Sequence, residues 1–232
     1  MKFTTSLIKG KLVKRYKRFF AEIKLDKEVV VAHCPNTGSM MGLLNEKNEV
    51  YISKNDNPKR KLKYTLEIIK VNKNLVGVNT HFANKIAYHG LSNNLIKEIS
   101  NNDNIKPEVF FDKETRFDFL VEKNKQKIFV EVKNVTLFRN ENTAEFPDSI
   151  TSRGSKHLKA LIEAIKKGYK SYLLFLVQIQ GIESFKIAKD IDKEYYENYL
   201  LAKKAGVIFL AYRCKIDSKE IKIEKKIKII NV

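Results

Sequence analysis

Hydrophobic and polar positions change rhythm once along the chain. From about residue 7 to residue 79, short β-rich runs alternate with turn residues. In 20–25, Ala21, Ile23 and Leu25 fall on one side and Glu22 and Lys24 on the other, the period-two pattern of a half-buried strand. Runs at 29–33, 50–53, 64–71 and 76–79 are further β-rich segments, and Asn72-Lys73-Asn74 supplies turn chemistry between the last two. About five strands in roughly 70 residues predict a small barrel, for which the OB-fold is the common nucleic-acid-binding form.

Beyond residue 80 the period lengthens. A helix is expected over 84–99, weakened by Gly90 and by Ser92 to Asn94. Strands at 108–111, 116–121 and 127–135 follow. Leu158, Leu161, Ile162 and Ile165 then make one apolar stripe of a helix over 155–167, stopped by Gly168. A fully apolar strand at 172–178, a helix over 193–204 ending at Gly206 and a second apolar strand at 207–212 complete the pattern. The expected architecture is α/β overall, with an OB-like β-barrel in 1–80 followed by an α/β domain in 81–232.

The chemistry gathers on one hairpin. The polar run from Glu122 to Lys127 interrupts two β segments, so a turn centred between Asn124 and Lys125 is expected. That register sets Val121 against Ile128, Phe119 against Val130 and Phe117 against Val132, all apolar and on one face. It sets Asp118 opposite Glu131 on the other face, with Lys133 two residues further on. Facing carboxylates repel unless neutralised, and a hard cation such as Mg²⁺ or Mn²⁺ neutralises them naturally. Lys133 is then placed to act on a metal-bound water or on charge developing at a phosphate. The ordinary alternative is a charged strand face in which Lys133 offsets two acids. Glu108, on the preceding strand, is a further candidate ligand, with an exposed strand acid as its alternative.

Charge widens the picture. Lys+Arg number 45 and Asp+Glu 27, a formal net charge of +18, which makes a polyanion the expected partner. Lys14-Arg15-Tyr16-Lys17-Arg18-Phe19-Phe20 and Lys59-Arg60-Lys61-Leu62-Lys63-Tyr64 interleave basic and aromatic residues, a combination suited to phosphate contact and base stacking. Arg15, Tyr16, Lys17, Arg18, Lys59, Arg60 and Lys61 are therefore candidate DNA contacts, with solvated lysines as the alternative. Arg153, Lys156 and His157 at a helix start are candidate phosphate contacts too. His33 and Cys34 are strand neighbours that point to opposite faces, which argues against a nucleophile pair. Two distant cysteines, the lack of an apolar run after Met1 and the absence of any bilayer-length apolar stretch predict a cytoplasmic, soluble protein with no membrane partner. No sugar pocket is evident in the sequence.

Several segments occur in a recognisable order: Arg15-Tyr16-Lys17-Arg18-Phe19, His33-Cys34-Pro35-Asn36-Thr37-Gly38, Asn57-Pro58-Lys59-Arg60-Lys61, Val76-Gly77-Val78-Asn79-Thr80 and Arg116-Phe117-Asp118-Phe119. They continue with Val130-Glu131-Val132-Lys133-Asn134-Val135-Thr136-Leu137, Phe146-Pro147-Asp148 and Arg153-Gly154-Ser155-Lys156-His157-Leu158. Together they resemble the sugar fermentation stimulation protein A family over nearly the whole chain. The resemblance implies an OB-like domain, a PD-(D/E)XK nuclease-like domain, largely sequence-nonspecific DNA binding and a regulatory link to sugar (maltose) metabolism. Asp118, Glu131 and Lys133 match the nuclease signature. Phe117 stands where a proline is usual, and Tyr88 and His89, with Glu98 further on, lie where the first helix often carries an acid. The expected function is a DNA-binding protein with Mg²⁺-dependent phosphodiester hydrolysis. The alternatives are a non-catalytic DNA-binding regulator with a degenerate nuclease site, or a single-strand or RNA-binding module.

Overall fold

The structure is a computed structural model and describes residues 1–140 and 142–230. Six strands build the N-terminal part: β1 (Ile8–Tyr16), β2 (Phe20–Lys24), β3 (Val29–His33), β4 (Glu49–Lys54), β5 (Tyr64–Val71) and β6 (Asn74–Gly77). Antiparallel pairs join β3 to β2, β2 to β1, β1 to β4 and β4 to β5. Parallel pairing of Ala32 with Tyr64 and His33 with Thr65 joins β3 to β5 and closes a five-stranded, OB-like barrel. Closure leaves no free edge among these five. Alternation marks β2 and β4, while β3 and β5 show only as β-rich runs. In β1 the inward positions are Ile8, Gly10 and Leu12, and interspersed lysines hide the pattern.

β6 leaves the barrel and pairs onward. Val76 bridges Ile179, and the Gly77 amide donates to the Gln178 carbonyl at 2.9 Å. The barrel interior is also continuous with one apolar cluster of the second part, so Leu12, Ile23 and Ile52 share a core with Leu161 and Phe175. Backbone pairing and shared core together fix the two parts against each other.

The α/β part runs α1 (Ala83–Ser92), β7 (Asn104–Phe110), β8 (Arg116–Lys123), β9 (Gln126–Val135), β10 (Leu137–Asn140), β11 (Thr143–Phe146), α2 (Ser152–Lys166), β12 (Lys170–Val177), β13 (Ser184–Ile187), α3 (Lys193–Lys204), β14 (Ile208–Ile216), β15 (Ile221–Lys226) and β16 (Lys228–Ile229). The main sheet has the order β15-β14-β12-β9-β8-β7, with β9, β12 and β14 parallel. β12 is apolar on both faces because both are covered. Leu173, Phe175 and Val177 pack with α2 residues, while Tyr172, Leu174 and Leu176 pack with α1 residues. A smaller sheet, β10-β11-β13-β16, lies beside it.

Several boundaries differ from the sequence expectation. The first helix stops at Ser92, because Asn94 takes a left-handed conformation (φ 57°) and a single 3₁₀ turn follows at Lys97–Ile99. β7 begins at Asn104 rather than 108. α2 begins at Ser152 rather than 155, because Thr151 is its cap: the Thr151 hydroxyl accepts from the Gly154 amide.

Candidate active site

The β8–β9 ladder follows the expected register through Val121–Ile128 and Phe119–Val130, and ends there. Phe117 departs from expectation. It packs with Phe111, Phe129 and His157 on the α2 side, while Phe119 and Val121 belong to the α1-side core. Alternation therefore breaks at Asp118. The strands part, and Asp118 Oδ2 accepts the Val132 amide at 2.7 Å in place of a ladder carbonyl. Asp118 Oδ1 accepts from Asn84 Nδ2, on the first turn of α1, at 2.7 Å.

Glu131 is held from the opposite side. Lys133 Nζ donates to Glu131 Oε1 at 2.8 Å, and His157 Nδ1 of α2 meets the same oxygen. Lys133 Nζ also lies 3.4 Å from His157 Nδ1. Glu131 is 2% exposed, and its second oxygen, Oε2, has no hydrogen-bond partner among the described residues. An unpartnered buried carboxylate oxygen is costly.

The two acids have opposite proton affinities. Burial, reinforced by the charge of Glu131, pushes the Asp118 carboxyl up to about 6. Burial also works against charge on Glu131, but Lys133 and His157 outweigh it and hold that carboxyl below its ordinary range. The two neighbouring carboxyls are thus shifted in opposite directions, a separation characteristic of functional sites.

The donor set suits a hard divalent cation. Asp118 retains lone pairs on both oxygens, Glu131 has a free one, and both are oxygen donors. Among the described residues no three His, Cys, Asp or Glu side chains come together as a metal cluster. Glu108 lies at the rim, where its carboxylate takes Arg116 Nε at 2.8 Å and stands 3.5 Å from Asn84 Nδ2.

The basic candidates divide. Arg15 is directed inward: Nη2 donates to the Asn36 carbonyl at 2.6 Å, Nη1 to Gly38 at 3.1 Å and Nε to Arg18 at 3.0 Å. It staples the 36–39 loop. Asp148 fastens that loop from the other domain, accepting from the Met40 amide at 3.2 Å, and a Cβ on Gly38 would stand 2.4 Å from Asp148 Oδ2. The loop forms one wall of a cleft of about 250 Å³ whose other wall includes Asn134, the neighbour of Lys133, and Thr151. Tyr16 stacks on Phe20 at 5.4 Å. Lys17 and Arg18 form the β1–β2 turn with φ of 47° and 61°. Arg60 Nη2 donates to Thr65 Oγ1, and Lys59 and Lys61 are exposed. Lys156 pairs with Glu114 at 2.8 Å and Arg153 is exposed, but His157 is buried against Glu131 rather than displayed at the helix start.

Asn84 escaped sequence reasoning because an asparagine in a first helical turn carries no signal beyond helix-start preference. Glu145 escaped it as well. It is 1% exposed and bound by Arg139, which also reaches Asp190 at 2.5 Å.

Two family models match the chain: the SfsA N-terminal OB domain over residues 13–78, and the sugar fermentation stimulation protein RE domain over residues 81–220. The chain belongs to the sugar fermentation stimulation protein family. A homolog of that protein from Pelagibacter ubique is 83% identical over 100% of both chains. One from Marinomonas sp. is 42% identical over 99% of this chain and 90% of its own length. The fold is shared with SfsA of Pyrococcus furiosus, solved in complex with Ca²⁺, at a TM-score of 0.89 and 24% identity over 100% of this chain and 98% of that one. No helix among the described residues is long and apolar enough to cross a membrane.

Proposed function

We propose that this member of the sugar fermentation stimulation family is a DNA-binding protein, largely indifferent to sequence, in which residues 1–80 engage the backbone and residues 81–232 form a nuclease-like catalytic domain. The observation that carries this reading is the buried neighbourhood at the parted end of β8 and β9, where Asp118 accepts the Val132 amide, Lys133 holds one oxygen of Glu131, and Glu131 Oε2 has no partner among the described residues. Asp118 and Glu131 would hold Mg²⁺ or Mn²⁺, and the Ca²⁺ bound by the Pyrococcus furiosus relative supports a divalent ion. When bound, such an ion neutralises phosphate charge and lowers the pKa of a coordinated water. Lys133 fixes one Glu131 oxygen and presents a cation toward developing negative charge. His157 clamps the same oxygen and keeps Glu131 from rotating. Asn84 orients Asp118. The protein acts in the cytoplasm, with the family's link to sugar metabolism exerted through DNA.

A second reading, a DNA-binding regulator without catalysis, draws on a specific observation. The helix facing Asp118 supplies Asn84 rather than an acid, and Glu108 is turned to Arg116. Incubating supercoiled plasmid with wild type, Lys133→Ala and Asp118→Asn, each in Mg²⁺ and in EDTA, separates the two. Metal-dependent nicking lost in both variants is expected. Nicking indifferent to EDTA and to both substitutions overturns the assignment, and plasmid retention without nicking selects the regulator.

A further inference from the structure

Beside Asp118, between α1 and the β7–β8 strands, lies a niche of about 390 Å³ lined by Asn84, Lys85, Tyr88, Pro107, Glu108, Asp118 and Phe119. Resting on the DNA reading above, we propose that this niche takes an unpaired nucleobase of single-stranded DNA, stacked on Tyr88, while the adjoining phosphate sits at Asp118 and Glu131.

Tyr88 is 45% exposed, a large solvent-facing surface for an aromatic side chain. Its ring centroid lies 6.2 Å from that of buried Phe119, which braces it. A braced ring stacks a base at little cost in conformational freedom. The walls are mainly carbon, from Tyr88, Pro107 and Phe119, and the volume lies in the range of small-ligand sites. The polar groups decide what enters. Glu108 and Asp118 set two carboxylates in the niche lining against one lysine, Lys85, so a bare phosphate is disfavoured inside it, and the adjoining phosphate reaches Asp118 and Glu131 only with a divalent cation neutralising them. A flat neutral group with N–H donors is welcomed, and the exocyclic amines of cytosine, adenine and guanine are such donors. The cations stand at its edge and beyond it. Lys85 is exposed on α1, and the Arg116 guanidinium stands 5.7 Å from the centroid of the exposed Phe110 ring. Base inside and backbone outside is the division these charges favour. A base in duplex is stacked and paired, so it must be flipped before it can enter.

The chain contains no tryptophan, so Tyr88→Trp places a single fluorophore in the niche. We would titrate this variant, in Ca²⁺, with a mixed-sequence single-stranded oligonucleotide, with its fully abasic sugar-phosphate counterpart and with the matched duplex, while following anisotropy of the same end-labelled DNAs. The single strand is expected to quench tryptophan saturably, in step with anisotropy, and the abasic strand to bind without quenching. Tyr88→Ala is expected to weaken single-strand binding by about fivefold to 150-fold, with abasic affinity unchanged and Tyr88→Phe near wild type. Binding of the single strand without quenching, or equal quenching by the abasic strand, overturns the niche and leaves DNA binding standing. If anisotropy rises with none of the three DNAs, the DNA reading itself fails and the niche falls with it.

Discussion

The barrel and the α/β domain treat charge in opposite ways. The barrel keeps an apolar interior and carries Lys59, Lys61 and the Lys17-Arg18 turn on its surface. Glu67 is its buried exception, satisfied by Ser53 at 2.6 Å and Asn79 at 2.8 Å. The α/β domain draws Glu131 and Glu145 inside and matches them with Lys133, His157 and Arg139. Surface charges cost little and contribute little to stability, whereas buried ones are costly when unmatched. The surface set suits contact with a polyanion; the buried set suits a fixed arrangement of groups. Under the function proposed above, attraction falls to one part and chemistry to the other.

The most disruptive way to test this contrast is to strand a buried acid. Arg139→Ala removes the fork that grips Glu145, leaving Lys186 at 3.9 Å as its nearest cation. A loss of about 3–5 kcal/mol in urea unfolding is expected. Arg139→Lys, which keeps the charge and loses the fork, should recover part of it. A change within about 0.5 kcal/mol for the alanine variant would erase the distinction between the two parts.

Next in size is Asp118→Asn. The folded-state carboxyl, at about 6, lies above its ordinary 3.8. The native state therefore holds the proton more readily, and this group's effect on stability is most favourable below about pH 4. It falls as pH rises toward about 6, above which the full penalty stands. Asparagine escapes that penalty, and Asn84 can turn its amide to accept from the new side chain. The variant should be more stable than wild type at pH 8, by up to about 2–3 kcal/mol, with the gain vanishing near pH 4. Calorimetric melts across that range, combined with metal titration, should find a more stable protein that binds the cation less well. A variant less stable at pH 8 would refute burial as the cause.

What could be foreseen follows the same divide. The hairpin was legible as far as Phe119–Val130, because alternating apolar positions and one polar turn fix a register. Phe117 was not, because alternation fails where Asp118 replaces a ladder bond, and no residue-type pattern announces that. The barrel's middle strands could be read from β-rich composition and, in β2, from alternation, whereas β1 was masked by outward lysines. The small sheet was missed because β10, β11 and β13 are four residues each and β16 is two, too short for a period to register. Arg15 carries the same sequence signal as Lys59. Only a loop folded back from about twenty residues away tells a staple from a surface charge.

A smaller effect concerns how the site is braced. Thr151 caps α2, and its own amide donates at 2.8 Å to Asp192 Oδ2, whose other oxygen accepts from the Tyr195 amide as the cap of α3. Thr151→Ala should cost about 1 kcal/mol, measured by thermal melting, with Thr151→Ser close to wild type. Because His157 rides on the same helix, the alanine variant should also lose affinity for the cation. Unchanged melting would show that Asp192 braces the helix start alone.

The smallest expected effect on stability is the sharpest test of the barrel. Lys59 and Lys61 sit in a segment ordered by backbone bonds, the Lys59 amide donating to Asn57 Oδ1 at 2.9 Å, so their side chains are dispensable to the fold. The double variant Lys59→Ala, Lys61→Ala should unfold within about 0.5 kcal/mol of wild type. If both lysines neutralise phosphates, the slope of log affinity against log salt for single-stranded DNA should become shallower by about 1.4, or about 0.7 for each. Affinity should fall equally for unrelated sequences, because phosphate contacts carry no base information. An unchanged slope would move the electrostatic contact off this face of the barrel. A loss of stability with an unchanged slope would show that the barrel's charges, like those of its neighbour, are structural.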